Sequence, residues 1–220
     1  GSLSDEMKSM SRFCDAIMFR AYKNEDIVEA AKAATVPLIN GLDDLFHPCQ
    51  ALADLMTIKE KAKKFKGTRL AFVGDGNNVC NSLIIGCAKV GMQISVATPK
   101  GLEPYSKAVE EGKGSGTLSL YNDPKKAVEG ADFVYTDTWI SMGEENLKEQ
   151  KMKQFAGYTV DKGLLGKALF MHCLPAHRGF EVTDEVLDSG QSIVFDQAEN
   201  RMHAQKALLL ELLKPNRKIK

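Results

Sequence analysis

Five short polar segments contain the residues whose types and spacing could support chemistry. The most reactive types occur in His-Cys-Leu-Pro-Ala-His-Arg-Gly at 172–179, where adjacent histidine and cysteine suggest a metal site or a cysteine nucleophile. Neighbouring side chains of an extended chain point in opposite directions, so they rarely share a ligand. No third member of a catalytic triad is identifiable. A buried cysteine at a strand end is the simpler alternative.

A second segment, Asp-Thr-Trp-Ile-Ser-Met-Gly at 137–143, follows a predicted strand at 133–136. Open α/β sheets bind ligands at the carboxyl ends of their strands. Asp137 and Ser141 together suit a substrate ammonium group, because both offer hydrogen-bond acceptors. The alternatives are that Asp137 is a helix cap or turn former and that Trp139 belongs to the core.

A glycine-rich turn follows the predicted strand at 70–73. A dinucleotide-binding turn needs a third glycine where Val79 stands, and an acidic residue where the next strand ends in Ala97 and Thr98. Two alternatives remain. Either the glycines serve only the backbone of a tight turn, or Asn77 and Asn78 at a helix N-terminus bind a small carboxylate.

The last two segments place polar residues on helices. His47 lies beside a predicted helix start, and Gln50 follows three residues on, so both can face one ligand. Glu-Asn-Arg at 199–201 opens the predicted last helix. The plainer interpretations are a structural histidine and an exposed arginine.

Short apolar runs that alternate with helical patterns must position these segments. Helices are predicted from Asn24 and from Pro48, and further along at 78–90, 104–111, 124–129, 146–155, 183–187 and 203–213. Asn40-Gly41 is predicted to form a turn, and 112–116 a surface loop. The predicted strands are 16–19, 36–39, 70–73, 94–97, 118–121, 133–136, 169–172 and 193–195.

This alternation predicts an α/β fold with a doubly wound parallel sheet. The complete α/β domain is expected at 66–200, after a long amphipathic helix and before a final apolar helix. Residues 1–46 supply only two strands and two helices, which is too little for an independent core. They are therefore expected to be the tail of another domain.

Composition excludes several classes of function. The 220 residues carry 29 Lys and Arg against 29 Asp and Glu, so nothing global indicates nucleic acid or a membrane surface. No apolar run approaches the ~18 residues of a spanning helix, and the N-terminus lacks the pattern of a signal peptide. Five cysteines without a C-x-x-C pair argue against a disulfide framework and predict reduced thiols in the cytoplasm.

Taken together and in order, the five segments resemble the aspartate/ornithine carbamoyltransferase family. The segment 47–54 is similar to the family's carbamoyl phosphate helix and 137–143 to its ornithine loop. His-Cys-Leu-Pro at 172–175 resembles the ornithine enzymes, since the aspartate enzymes have proline in place of Cys173. Ser-Met-Gly at 141–143 speaks against putrescine carbamoyltransferase, and the proline-rich insertion of the acetylornithine type is missing. The likeness runs from residue 3 to about 213.

The resemblance implies a carbamoyl phosphate site and a role for each of its residues. Arg20 and His47 would hold the carbonyl oxygen and the phosphate side, and Arg201 would meet the phosphate. Gln50 would bind the carbamoyl amino group, helped by the backbone carbonyl of Leu174. Residues 1–46 would be the C-terminal remnant of the carbamoyl phosphate-binding domain, and 66–200 the ornithine-binding domain. The segment 47–65 would be an interdomain helix, and 201–214 a C-terminal helix that returns to the first domain.

The resemblance also implies an ornithine site. Asn78 and the Met142 backbone would hold the ornithine carboxylate, and Asp137 and Ser141 its α-ammonium. The δ-amine would attack the carbamoyl carbon, and donors aimed at the resulting oxyanion contribute ~3–4 kcal/mol each. Cys173, beside Asp137, would then act by position and electrostatics, without forming a covalent bond. No metal and no cofactor is implied. The product would be citrulline, in arginine biosynthesis.

One departure from the family concerns the phosphate. The family's Ser-Thr-Arg-Thr-Arg loop, which cradles it upstream of the region matched here, occurs nowhere in the 220 residues. The expectation is a truncated form that is inactive alone, with the family's homotrimer in question because much of its contact involves the first domain. The alternatives are a non-catalytic amino-acid-binding module, or a nicotinamide enzyme, which Val79 and Thr98 disfavour.

Overall fold

A computed structural model describes residues 1–140 and 148–214, with side chains from 149 in the second range. Its strands are β1 (Ile17–Arg20), β2 (Leu38–Leu42), β3 (Arg69–Val73), β4 (Gln93–Ala97), β5 (Leu118–Tyr121), β6 (Phe133–Thr136) and β7 (Leu169–His172). Its helices are α1 (Leu3–Met10), α2 (Asn24–Ala33), α3 (Pro48–Ala62), α4 (Asn78–Val90), α5 (Ser106–Gly114), α6 (Pro124–Val128), α7 (Lys148–Gln154), α8 (Lys162–Leu165), α9 (Asp184–Leu187) and α10 (Val194–Leu212).

Two parallel sheets organise these elements. The larger has the strand order β5-β4-β3-β6-β7, so the chain winds outward from β3 in one direction and then from β6 in the other. The smaller pairs β1 with β2. This confirms the predicted α/β class with a doubly wound parallel sheet, whose ligand edge lies at the carboxyl ends of β3, β6 and β7.

The central strands of the larger sheet are buried on both faces, as their nearly continuous apolar sequences require, whereas the edge strand β5 is partly exposed. Leu70 and Phe72 of β3 face a core shared with α3 and α4. Ala71 and Val73 face the opposite core, which contains Trp139 and Phe155. The alternation of side chains along a strand therefore supplies both cores from one segment.

The first 46 residues have a much smaller core. Met7, Ile17 and Ala30 are its fully buried members. Phe13 is 86% exposed and Tyr22 93% exposed, so large apolar groups of this part remain in solvent. The first 46 residues therefore have little core of their own, and their contribution to the site is the end of a small sheet.

Three sequence predictions are wrong in detail. The predicted strand 193–195 is absent, because α10 already begins at Val194 while Ser192 forms an isolated bridge with Phe170. Asn40 and Gly41 lie inside β2 and form no turn. The helix α5 extends to Gly114, into the predicted loop at 112–116.

Because α10 begins at Val194, two further sequence predictions do not fit the structure. Glu-Asn-Arg at 199–201 lies inside this helix and not at its beginning, and the expected division between 200 and 201 falls within it. The helix packs along α3, and the division of the chain at 46, 65 and 200 stays a prediction. In the described residues, no helix has both the length and the apolar character needed to cross a bilayer.

Candidate functional site

The ends of three adjacent strands bring the first group of site residues together. Asp137 follows β6, Cys173 follows β7, and Asn77 lies in the turn after β3. The Cys173 thiol donates to Asp137 Oδ1 at 2.9 Å, and Asn77 Nδ2 donates to Asp137 Oδ2 at 2.7 Å. Asp137 is only 5% exposed. A buried carboxylate therefore occupies the ligand edge of the sheet.

Asn77 performs two tasks at once. Its side-chain oxygen accepts from the backbone of Val79 and Cys80, which makes it the N-cap of α4. Its amide nitrogen is already bound to Asp137. The neighbouring Asn78 amide donates to the carbonyl of Asp43 at 2.7 Å. Both carboxamides predicted to meet a carboxylate are thus engaged within the chain.

The environment of Cys173 keeps its sulfur protonated. Burial, together with the charge of Asp137 and the hydrogen bond to it, raises the pKa of the Cys173 thiol well above its usual range. A thiolate is the reactive form of cysteine. Cys173 is therefore placed as a hydrogen-bond donor to Asp137 and is poorly suited to be a nucleophile.

The imidazole of His172 holds the turn that follows β7. Its Nδ1 accepts from the backbone of Leu174 at 2.8 Å, and its Nε2 lies 3.1 Å from Glu181 Oε1. Leu174 has φ +58°, in the left-handed region. Asp137, His172 and Cys173 have potential ligand atoms within 4.8 Å of one another. Both ring nitrogens of His172 already have partners, however, so it offers a cation no free atom.

A second group lies at the start of α3. His47 precedes this helix, and its backbone N–H donates to Ser82 Oγ at 2.7 Å. Its Nδ1 is buried without a hydrogen-bond partner in the described residues. Burial first, and then the charges of Arg201 and Arg20, lower the pKa of His47 to about 4, against an opposing effect of Asp137. The imidazole is neutral at pH 7.

Gln50 is the most enclosed member of this group. It is 1% exposed, and its Oε1 accepts from Arg201 Nη1 at 2.6 Å. Its Nε2 donates to Asp54 Oδ1 at 2.8 Å. Burial raises the pKa of Asp54 to about 7, although hydrogen bonds from Gln50 and Gln197 act in the opposite direction. Arg201 Nε is also buried and has no partner in the described part of the chain.

The segment before His47 is built around a buried aspartate that sequence reasoning missed. Asp43 is 0% exposed, and its Oδ1 accepts from the backbone of Leu45 and Phe46. Its Oδ2 accepts from the side chains of Asn24 and Asn40. The signal was available, since an aspartate in a loop commonly accepts from backbone N–H groups two to three residues after it and so organises a turn.

Sequence reasoning also gave no role to three further buried polar residues. Asp54 ends the segment 47–54 and lies four residues after Gln50 on a buried helix face, so its pairing with Gln50 was accessible. Glu181 lies nine residues after its partner His172, and Gln197 lies 143 residues after its partner Asp54. Neither Glu181 nor Gln197 belongs to a segment that the sequence singled out.

The glycine turn after β3 serves the backbone. A Cβ added at Gly76 would lie 2.4 Å from both Glu103 C and Pro104 N, so glycine allows the two segments to touch. This close approach supports the tight-turn alternative. Trp139 also takes its plainer interpretation, because it is 3% exposed and stacks on Phe155 with centroids 4.9 Å apart.

The structure brings the group around Asp137 and the group around His47 together, but it does not describe every predicted site residue. The His47 backbone N–H and the Asp43 carbonyl bind Ser82 and Asn78 of α4, the helix that Asn77 caps. The charges of Arg20, Arg201 and Asp137 all shift the pKa of His47. Arg20 ends β1 and is exposed. Ser141 and Met142 lie outside the described residues.

Comparison with known proteins gives this geometry a context. The family profile described as aspartate/ornithine carbamoyltransferase, Asp/Orn binding domain, matches residues 66–212. The profile described as the carbamoyl-P binding domain of the same family matches residues 1–60. The first group of site residues lies in the 66–212 match, whereas the second group takes His47 and Gln50 from the 1–60 match and Arg201 from the 66–212 match.

Named relatives agree with the profiles. Ornithine carbamoyltransferase of Methanocorpusculum labreanum is 54% identical over 217 residues, covering 96% of this chain and 71% of that protein. The solved ornithine carbamoyltransferase of Pyrococcus furiosus superposes with a TM-score of 0.93 at 50% identity, covering 99% of this chain and 72% of its own. The Thermus thermophilus enzyme gives a TM-score of 0.89 at 41% identity.

Proposed function

The chain belongs to the aspartate/ornithine carbamoyltransferase family, and from this premise we propose that its site transfers the carbamoyl group of carbamoyl phosphate to the δ-amine of L-ornithine. The products are L-citrulline and phosphate. The observation that carries this proposal is the joint placement of an acidic group, Asp137 with Cys173, and a basic and amide group, His47 with Gln50 and Arg201. The acidic group suits an ammonium, and the basic and amide group suits a phosphate and a carbamoyl amide.

The basic group receives carbamoyl phosphate. Arg201 and Arg20 supply positive charge for the phosphate, and charge-assisted hydrogen bonds of this kind are the strong ones. Arg201 Nε and His47 Nδ1 are buried without a hydrogen-bond partner in the described residues, and a bound substrate would satisfy them. A neutral imidazole that carries its proton on Nδ1 donates to the carbonyl oxygen, where negative charge develops during attack. The Leu174 carbonyl and Gln50 Oε1 accept from the carbamoyl amino group.

The acidic group receives ornithine. Asp137 is buried and already accepts three hydrogen bonds, from Cys173, Asn77 and the Thr138 backbone. These neutral donors hold the carboxylate in place without cancelling its charge, so it can pair with the α-ammonium. Ser141, Met142 and Asn78 complete this side in the proposal.

The reaction needs no covalent intermediate with the protein. The neutral δ-amine attacks the carbamoyl carbon, and a tetrahedral intermediate with an oxyanion forms. The C–O bond to phosphate then breaks, phosphate leaves with the electron pair, and its oxygens accept the proton released by the amine. Positioning two polar substrates accounts for much of such catalysis.

The test separates transfer from mere binding. A hybrid protein is defined as these 220 residues preceded by the amino-terminal part of the Pyrococcus furiosus enzyme, which the resemblance places ahead of residue 1. We expect the hybrid to form citrulline from carbamoyl phosphate and ornithine. A folded hybrid that binds ornithine but neither binds nor uses carbamoyl phosphate would instead support an amino-acid-binding module.

The proposal also covers the metabolic role, the cellular compartment and the oligomeric state. We infer a role in arginine biosynthesis, which is supported by 51% identity to a Pyrococcus furiosus relative named anabolic. Five cysteines without a disulfide support a cytoplasmic setting. A homotrimer is proposed for the hybrid, and light scattering during gel filtration tests it.

A further inference from the structure

Four side chains form one continuous hydrogen-bonded path, and two of its members have no role in the reaction proposed above. Arg201 Nη1 donates to Gln50 Oε1 at 2.6 Å, and Gln50 Nε2 donates to Asp54 Oδ1 at 2.8 Å. Gln197 Nε2 donates to the same Asp54 oxygen at 2.7 Å. Gln50, Asp54 and Gln197 are each no more than 1% exposed. Water therefore cannot replace any partner in the middle of the path.

The order of donors and acceptors fixes the direction of the Gln50 carboxamide. A guanidinium only donates, and Asp54 Oδ1 accepts from two amides. Only one orientation of Gln50 places an oxygen against Arg201 and an NH2 group against Asp54. Rotation of the amide by 180° would face donor with donor and acceptor with acceptor, which is costly where water is excluded.

Asp54 is itself held in place from a third element. Gln197 of α10 binds Asp54 through its NH2 group, while its Oε1 accepts from the His172 backbone N–H at 3.0 Å. Gln197 is thus also locked between a donor and an acceptor. The carboxylate is fixed by α3, by α10 and, through Gln197, by β7, which leads into the turn with Cys173.

We propose that Asp54 is a positioning residue that keeps the Gln50 oxygen turned toward the carbamoyl group, so that the site selects an acyl phosphate with an amino group over one with a methyl group. The inference rests on the proposed function, because it presupposes that Gln50 contacts the carbamoyl amino group. An amide oxygen has two lone pairs. Arg201 occupies one, and the other is available to a substrate N–H, which acetyl phosphate lacks.

Three variants separate this role from simple packing. Asp54→Leu removes the acceptor, and Asp54→Ala does so in a smaller volume if the leucine variant does not fold. Asp54→Asn keeps an oxygen at the Oδ1 position for both amides, and its nitrogen can donate to the Tyr135 hydroxyl, which also contacts Asp54. Thr57→Val is the matched control, because it removes another buried hydrogen bond between α3 and α10, from Asn200 Nδ2 at 3.0 Å, without touching Gln50.

The first measurement uses the 220-residue chain without any ligand. Nuclear magnetic resonance gives the solvent exchange rate of the Gln50 NH2 protons, with the exposed Gln93 as reference. We expect exchange at least tenfold slower at Gln50 than at Gln93 in the wild type, in Asp54→Asn and in Thr57→Val. In Asp54→Leu or Asp54→Ala the protection should be lost. Protection within about twofold of wild type in these two variants would overturn the proposal, as would unprotected Gln50 in the wild type.

The second measurement uses the hybrid. The ratio of the inhibition constant of acetyl phosphate to the KM of carbamoyl phosphate should fall roughly tenfold in Asp54→Leu or Asp54→Ala, the effect of one hydrogen bond. It should stay within about twofold in Asp54→Asn and Thr57→Val. An unchanged ratio in an active Asp54→Ala hybrid would refute the selection. An inactive wild-type hybrid whose Gln50 remains protected would count against the proposed function and leave the locked orientation supported.

Discussion

The Cys173 sulfur lies 2.9 Å from Asp137 Oδ1 and donates a hydrogen bond to that carboxylate. A thiol next to a buried carboxylate is held in its protonated form, because burial and the negative charge both raise the pKa of Cys173. The residue that most suggested nucleophilic chemistry in the sequence is thus a hydrogen-bond donor that orients the Asp137 carboxylate.

Replacing this thiol should slow the reaction without stopping it. In the hybrid, Cys173→Ser keeps a donor to Asp137 with a shorter reach, so we expect kcat to fall roughly tenfold, at the low end for a hydrogen bond to a charged group. Intact-mass spectrometry during turnover should show no carbamoyl adduct. Cys14→Ser, in the first 46 residues, is the control and should leave kcat unchanged. An adduct that accumulates on Cys173 would show that the cysteine is a nucleophile after all.

Removing the charge of Asp137 should affect one substrate far more than the other. Taking away one partner of a buried ion pair costs about 3–5 kcal/mol, so Asp137→Asn in the hybrid should weaken ornithine binding at least a hundredfold. Carbamoyl phosphate binding should change less than tenfold, as measured by calorimetry.

A matched variant tests whether the charge or the local structure matters. Asn77→Ser retains a side-chain oxygen that can cap α4 and leaves the charge on Asp137, while it removes the 2.7 Å bond to that carboxylate. Its effect on ornithine binding should be less than tenfold. Equal losses for both substrates in Asp137→Asn would remove Asp137 from the ornithine site.

The raised pKa of Asp54 predicts how the free energy of unfolding depends on pH. Its pKa rises from 3.8 to about 7 on folding, so its contribution is fully present below pH ~4 and is lost as pH rises through 7. The Asp54→Asn variant has no titrating group at this position, so its free energy of unfolding does not fall in this way as pH rises. The free energy of unfolding of the variant relative to wild type should therefore increase from pH 4 to pH 7, by roughly 4 kcal/mol at most.

His47 acts in the opposite direction but cancels in that comparison. Its pKa is lowered to about 4, so its contribution is lost as pH falls from 6.5 to 4 in wild type and variant alike. Urea unfolding at each pH unit measures the difference between the two proteins. Asp196→Asn, at an exposed position of α10, is the control and should track wild type. A variant curve parallel to wild type would show that Asp54 is not the group responsible.

Gly76 should tolerate no side chain. An alanine Cβ would lie 2.4 Å from backbone atoms of Glu103 and Pro104, and overpacking of this kind costs about 1–3 kcal/mol. Gly114→Ala, with nothing within 4 Å of the added carbon, should cost nothing measurable. If urea unfolding shows Gly76→Ala to be neutral, residues 102–104 do not pack on the turn, and a ligand-binding role for the glycines returns.

Much of the fold was predictable because local patterns determine it. The predicted strands at 118–121, 133–136 and 169–172 have the same bounds as β5, β6 and β7, and the last two are buried runs. The strand predicted at 193–195 failed, because Val194 and Phe195 satisfy a strand pattern while the longer periodicity around Asn200 and Ala204 forms a helix against α3. Apolar type alone does not separate the two in so short a run.

The candidate site was predictable only where a motif carries it. Asp137, Cys173, His47 and Gln50 were found through recognisable segments, whereas Asp54 and Gln197 meet across 143 residues of chain. Pairing over such a distance depends on how α10 lies along α3, which no local pattern contains. The same holds for Asn77, whose sequence context does not show that its amide faces Asp137.

The final prediction concerns the 220-residue chain tested alone. Carbamoyl phosphate is a dianion near neutral pH, and the proposed groups for it here are Arg20, His47 and Arg201. Burial lowers the pKa of His47 to about 4, so it adds no charge at pH 7. Arg20 ends an exposed strand in a sheet of only two, and such small sheets are marginally stable. A single well-placed guanidinium cannot replace the several charge-assisted contacts, each about 1.5–3 kcal/mol, that the family's Ser-Thr-Arg-Thr-Arg loop supplies.

We therefore expect no detectable citrulline from the chain alone, although the five-stranded domain is folded and cooperative in urea. Adding the amino-terminal part in the hybrid should restore turnover, because the loop then supplies the missing contacts while Asp137, Gln50 and Arg201 are unchanged. Arg201→Met in the hybrid removes the remaining proposed phosphate contact of α10 and should raise the KM for carbamoyl phosphate at least tenfold. Turnover by the chain alone at a rate near that of the hybrid would show that the phosphate site lies wholly within these residues and has been placed wrongly.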